Sequence, residues 1–433
     1  MDTLPSSETH ESESECNDLL RKGINALKEN KIDISVSLFK EYLENNEETS
    51  KVLFYFGQAR LKNNEPEKAL KCFVKALKID PENSEILIFQ GLTYETLNEF
   101  DKAKVCYEKA IEIQPNNAKA YCQLGIYYAE TNHHEMAMEY FVMANKISPH
   151  DASIYINLGY TSDVTGDDDK AIEYYKTALE IDPNDASAWF LLGNVYKDKE
   201  EVESAKEAFQ KAIAIKKDYS SAYLNLGVLL YLEEKYEEAE TMFNNVLVYE
   251  GANSEVSYHL GMIAAKQGFH EKAIECFRLA IENNGLNEES YLRMAKSFIK
   301  IDENETALET LHKAYRLNNT NFDVIYQLGF VYFLQASYEK AIKFFDIALK
   351  IKPNHRDSYY YKAIALIRQE KYSKALKCFK LILNLNPDDH YALYQQSLIY
   401  LNRKENKKAI IMLRKAQELG NEEAEEMLGT VDS

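Results

Sequence analysis

Few side chains in this 433-residue chain are placed to do chemistry. His133 and His134 are adjacent, but a metal would need further ligands at matching spacing, and no His-Glu-x-x-His pattern supplies them. Of six cysteines, Cys72, Cys106, Cys276 and Cys378 recur at one register, and no Cys-x-x-Cys occurs. Equivalent places one repeat step apart are too distant for a disulfide, which needs Cα atoms within about 7 Å. They read as small apolar groups in a reducing compartment. No glycine-rich phosphate loop is present, and His259 reads as a polar contact rather than an acid–base group. The expectation is a chain that is not an enzyme, with no cofactor and no metal.

What remains are side chains that recognise rather than react. Tyr326, Tyr360 and Tyr394 recur at 34-residue spacing, with Phe330, Phe333 and Tyr361 beside them. Tyrosine joins a large apolar face to a polar tip and is enriched at binding hot spots. These rings read in two ways, as packing between neighbouring helices or as a recognition surface. Asn157, Asn194 and Asn225 form a second group. An amide can both donate to and accept from a peptide backbone. Each such bond is worth about 0.5–1.5 kcal/mol net, so several are needed.

The elements that must position these residues follow from one period. Gly23, Gly57, Gly91, Gly125, Gly159, Gly193, Gly227 and Gly261 recur at the same 34-residue spacing, and Ala295, Gly329, Ala363 and Ser397 continue the series. Alanine stands twelve residues after the small residue in every unit except the first, which has Ser35. An aromatic follows four residues later, replaced by Leu311 and Leu413 in two units. Six of the eight prolines close units, among them Pro115, Pro183 and Pro387. In the fifth unit Tyr155, Leu158, Gly159 and Ser162 lie at i, i+3, i+4 and i+7; Ala171, Tyr175 and Ala178 lie at i, i+4 and i+7. These are two amphipathic helices joined by the short break Gly166-Asp167-Asp168, hence an antiparallel pair. One pair has too little interior to be stable alone, and stacking supplies a continuous core.

The register gives twelve units over residues 16–423, starting near 16, 50, 84, 118, 152, 186, 220, 254, 288, 322, 356 and 390. An acidic Ser/Glu-rich segment, 1–15, precedes them and reads as a disordered tail; 424–433 reads as a short acidic cap or tail. Units six to nine lack the closing proline, with Lys217, Gly251, Gly285 and Asn319 in its place, and a looser joint is expected near 245–320.

The chain resembles the tetratricopeptide repeat family, on segments such as Ala188-Trp189-Phe190-Leu191-Leu192-Gly193-Asn194-Val195-Tyr196 followed by Ala205, Phe209 and Ala212. The resemblance covers about 408 of 433 residues. It implies an all-α fold, a right-handed α-solenoid superhelix of helix-turn-helix repeats whose first helices line a concave groove. It also implies partner binding without chemistry. The asparagines resemble a shortened form of the ladder in the repeat arm of O-linked N-acetylglucosamine transferases, with Leu191 and His259 where further asparagines would stand. Chaperone-binding members clamp a chain-terminal carboxylate with lysine, asparagine and arginine on three first helices. Asn194 and Asn225 match two of five clamp places, but Phe190, Glu255 and His259 occupy the basic ones, so the clamp is rejected in this register.

Charge narrows the partner. Acidic residues exceed basic ones, for a net charge of −19, which disfavours a nucleic acid partner. No run of 18 apolar residues occurs, so no membrane span is expected. The acidic start, without Lys or Arg in residues 1–15, is no targeting signal, and a cytoplasmic location is the default. Residues 350–420 carry 15 Lys and Arg against six Asp and Glu, mostly on second helices. The function expected is a scaffold that binds an extended or helical segment of another protein. Two alternatives are a substrate-binding arm of an enzyme assembled in trans, and a structural subunit that self-associates through its C-terminal end.

Overall fold

The computed structural model describes residues 8–284 and 287–431, and within them every regular element is an α-helix. Twenty-five helices are present among the described residues. The first twenty-four pair as hairpins, from α1 (Glu8–Lys28) with α2 (Ile32–Asn45) to α23 (His390–Asn402) with α24 (Asn406–Glu418). From the second unit onward the first helices begin at Ser50, Ser84, Ala118 and so on to His390, in step with the period of the glycines.

Local chemistry sets these boundaries. A short polar side chain precedes most first helices and accepts a backbone amide of the first turn: Thr49 from Val52, Asn83 from Ile86, Asn117 from Ala120, Asp185 from Ala188. Such caps satisfy amides that have no partner within the helix. Each turn inside a hairpin passes through one left-handed residue, again at 34-residue spacing: Asn30, Asn64, Asn98, Asn132, Gly166, Glu200, Glu234, Gly268, Asp302, Ala336, Glu370 and Lys404. Glycine and asparagine adopt that conformation readily, whereas a Cβ at alanine is crowded there. Ala336, at φ 57°, is therefore held against its preference. Ala336→Gly should stabilise the protein by a net of about 0.5–1 kcal/mol, after the unfolded-state entropy of glycine is subtracted. A higher denaturant midpoint at unchanged slope would show it, and an unchanged midpoint would refute it.

The interior repeats as the register requires. Phe39, Phe73, Tyr107, Phe141, Tyr175, Phe209, Phe243, Phe277, Phe345 and Phe379 are wholly buried. In the glycine units each ring edge lies against the glycine of its own hairpin, as Phe73 does against Gly57. The chain divides into two compact units, Met1–Lys217 and Asp218–Ser433. The division falls at Lys217, the first of the four successive closing places without proline in units six to nine. Within each unit every hairpin packs on the next, and the first helices of most successive repeats also touch, which makes them the inner layer.

The first helix extends N-terminally to Glu8, into the segment read as a disordered tail; residues 1–7 lie outside the described residues. Gly285, in the joint expected to be looser, also lies outside them. At the other end α25 (Glu422–Val431) is a helix of 10 residues, which occupies most of the segment read as a cap or tail. Ala424 and Leu428 are buried, and Met427 packs with them on Ile410, Leu413 and Ala416. This helix covers the apolar end of the last hairpin.

Candidate functional site

In the second compact unit, a cavity of about 550 Å³ opens on the inner layer. Its walls come from α15 (Ser254–Lys266), the start of α16 (His270–Asn283), α17 (Glu288–Lys300), α19 (Phe322–Leu334) and α21 (Arg356–Arg368).

One wall is apolar. Tyr326, Phe330 and Leu334 lie at i, i+4 and i+8 on α19 and so form one stripe. Gly329 fixes where that stripe stands: a Cβ there would lie 2.9 Å from the Phe345 ring, so α19 approaches its partner helix more closely than a side chain would permit. Tyr326 covers Phe345 at 6.1 Å and runs on to Phe330 at 6.4 Å. Tyr361 meets the Phe330 ring at 5.0 Å and an interplanar angle of 70°. Burial, with Asp357 next, raises the Tyr326 hydroxyl above the usual phenol range.

The other wall is cationic. Arg293, Lys296 and Lys300 lie at i, i+3 and i+7 on α17, and Lys266 ends α15. Among the described residues that line the cavity there is no Asp or Glu. Arg293 and Lys296 are half-buried, while Lys266 and Lys300 reach solvent. Outside the cavity, the Arg293 Nε donates to Glu289 Oε1 at 2.7 Å. Burial pulls the Lys296 ammonium below the usual lysine value, and neighbouring Arg293 adds to this; Asp323 and Glu289 offset part of it. The Nδ1 atom of His270, also in the lining, is buried and has no hydrogen-bond partner among the described residues.

The six rings singled out in the sequence do not all meet. Tyr326, Phe330 and Tyr361 share the cavity. Phe333 stands behind them, 5.4 Å from Tyr361 and 5.9 Å from Tyr338. Tyr360 turns to its own hairpin, 6.2 Å from Phe379, with the Arg356 guanidinium 4.6 Å over its ring. Tyr394 packs in the terminal cluster with Leu393 and Leu413. Of the three tyrosines, Tyr326 lines this cavity, while Tyr360 and Tyr394 pack against neighbouring side chains.

Asn157 and Asn194 belong to the first compact unit and Asn225 to the second. The Asn157 Nδ2 donates toward Cys122 Sγ at 3.4 Å. His259 stacks on Phe243 at 5.2 Å, and its buried Nδ1 lacks a hydrogen bond among the described residues, so ring packing replaces the polar contact expected of it. Burial lowers its pKa below the usual histidine value. Cys72, Cys106, Cys122, Cys276 and Cys378 are free thiols, and burial pushes Cys106 and Cys122 up to about 11. Among the described residues no group of three His, Cys, Asp or Glu could hold a metal, and no helix is long and apolar enough to cross a membrane.

The cations escaped the sequence reading, although a signal was present. Lys296 stands at the place of Asn194, three units on, and Arg293 at the place of His259 and Asn225. Lys266 and Lys300 occupy one place in successive units. The basic run 350–420, which the sequence did expose, is partly neutralised: Lys362 of α21 pairs with Asp346, and Lys415 of α24 lies 3.2 Å from Asp388.

Comparison with known proteins agrees with this architecture. Tetratricopeptide repeat models match residues 50–83, 84–117, 106–139, 152–185 and 360–424. The model of the cytochrome c-type biogenesis protein H TPR domain matches 175–291, and that of anaphase-promoting complex, cyclosome, subunit 3 matches 304–382. No curated protein matches the sequence. Among solved structures, the APC/C hetero-tetramer Cut9-Hcn1 is similar at 17% identity over 96% of this chain and 96% of that one, with a TM-score of 0.47. MamA is similar at 27% identity over 37% of this chain and 94% of its own, with a TM-score of 0.34. YrrB, a TPR protein with an unusual peptide-binding site, is similar at 22% identity over 46% of this chain and 99% of its own, with a TM-score of 0.37. With its helical hairpins on a single 34-residue register and repeat models matching along its length, the chain belongs to the tetratricopeptide repeat family.

Proposed function

We propose that the protein is a non-catalytic scaffold whose second unit takes a segment of a partner protein into the inner-layer cavity between α15 and α21. One observation carries the reading: Tyr326, Phe330 and Tyr361 converge on an open cavity of about 550 Å³ instead of being sealed in the core. Rings held rigidly at the wall of a cavity are suited to anchoring a side chain, because little rotamer entropy is lost on contact. The proposal includes a cytoplasmic setting, supported by the free, buried thiols.

The test places a photo-crosslinking residue at Leu334, a partly exposed member of the cavity wall, and separately at Leu381 on the outer helix α22 (Tyr372–Leu385). Crosslinks to a partner protein should form from position 334, and Phe330→Ala should reduce them about tenfold or more with helicity retained. Crosslinks from position 381 alone would place binding on the outer face and overturn the proposal.

A further inference from the structure

The two walls of the cavity differ in kind, and the difference constrains what can lie between them. Among the described residues, four cations and no carboxylate line it. Arg293 is paired with Glu289 at 2.7 Å, but Lys296 is half-buried with no ion pair among the described residues, and an incoming anion relieves the cost of such a charge. The cations are not gathered at one point. At about 1.5 Å rise per residue, Arg293, Lys296 and Lys300 span about 10 Å along α17, more than one phosphate or one carboxylate covers. On α19, Tyr326, Phe330 and Leu334 follow one another at about 6 Å by the same rise. An extended peptide sends alternate side chains to opposite sides and repeats on each side at about 7 Å. The step from Lys296 to Lys300 and each step on α19, about 6 Å, come near that repeat, so an extended peptide can follow both walls.

We infer that the cavity between α17 and α19 is a recognition site for an extended acidic segment of a partner protein, with Asp or Glu at alternate residues facing Arg293, Lys296 and Lys300, and apolar side chains between them facing Tyr326 and Phe330. The inference rests on the reading that this cavity receives a partner segment, and it names that segment's chemistry. It differs from the clamp rejected in units six to eight, because it needs no chain-terminal carboxylate and shares only α15 with it.

The probe is a fluorescein-labelled peptide Asp-Phe-Asp-Leu-Glu-Phe-Asp, acetylated and amidated so that it has no terminal carboxylate. Its control has Asn and Gln in place of the acids. Anisotropy with the full-length protein should show binding at least about tenfold tighter than the control at about 50 mM salt, and weakening toward about 300 mM. Lys296→Glu with Lys300→Glu should lower affinity by about tenfold or more. Lys266→Glu with Lys300→Glu, which changes only exposed helix ends, should lower it in the same direction and serves if the first variant fails to fold. Equal binding of the neutral control, unchanged affinity in both variants, or displacement of the peptide by a few millimolar inorganic phosphate at constant ionic strength would overturn the inference. Crosslinks to a partner from position 334 that survive both charge variants would sink this inference while leaving the scaffold proposal standing. Loss of those crosslinks in the wild-type protein would sink both.

Discussion

Gly91→Ala should destabilise the protein by about 2–3 kcal/mol, although alanine is the better helix former by about 1 kcal/mol. The reason is a contact. A Cβ on Gly91 would stand 2.3 Å from Cε1 and 2.7 Å from Cζ of the Tyr107 ring, well inside van der Waals distance. The ring cannot retreat, because Tyr107 is wholly buried among Ala103, Ala110, Leu124 and Tyr128. The helices must part or the ring must leave its rotamer, and overpacking of that kind commonly costs a few kcal/mol. The chain itself shows a compensating change. Where the small place holds Ala295 or Ser397, the ring place holds Leu311 or Leu413. Ala363 alone keeps an aromatic partner, Phe379. Gly91→Ala with Tyr107→Leu should therefore recover more stability than either single change predicts when the two are added. Denaturant unfolding of the four proteins measures the coupling. Strict additivity would refute the account.

The second large effect concerns the joint between the last two hairpins. Asp389 precedes α23 and does two things at once. Its Oδ1 accepts the Ala392 amide at 2.9 Å as a helix cap, and its carboxylate accepts from Arg356 Nε at 2.9 Å and Nη2 at 3.2 Å. Arg356 opens α21, so the pair ties one repeat to the next. Asp389→Ala removes a cap worth about 1 kcal/mol and a forked charge-assisted contact worth about 1.5–3 kcal/mol. Arg356 keeps Asp357 at 2.8 Å, which softens the loss, so the expected cost is about 2–3 kcal/mol. Asp389→Asn keeps an oxygen for the cap and should cost less than the alanine change. Burial alone would raise the Asp389 pKa, but the Arg356 guanidinium and the Ala392 amide overcome it and hold the carboxyl below its ordinary 3.8. The folded state therefore binds this proton less readily than the unfolded state. The contribution is complete above the ordinary value and lost as pH falls through the depressed one. The gap between wild type and Asp389→Asn should be widest near neutrality and close in acid. Hydrogen exchange in α23 and α24 would read the effect locally, and a gap independent of pH would exclude a charge-based cause.

The fold was legible because its governing contacts are short in sequence. A glycine and the ring that fills its absent side chain belong to the same hairpin, as with Gly57 and Phe73, and the same pair recurs at a constant interval. The left-handed turn place was equally regular in Asn30, Asn64, Asn98 and Asn132, but its later members Glu200, Glu234, Glu370 and Lys404 carry no turn signature. The candidate site was harder to see. Its rings share a sequence place with rings that only pack, and whether Tyr326 or Tyr360 faces a cavity depends on the neighbouring hairpins. Its cations are ordinary surface types one by one. They become a group only when α15 and α17 are laid side by side and the lining between them proves to hold no carboxylate among the described residues.

Within the second compact unit, contacts run from each hairpin to its immediate neighbours. A mutation two or more hairpins away thus has no direct packing route to the Tyr326–Lys296 cavity, and selection could retune what that cavity accepts one repeat at a time while the remaining repeats keep the chain folded.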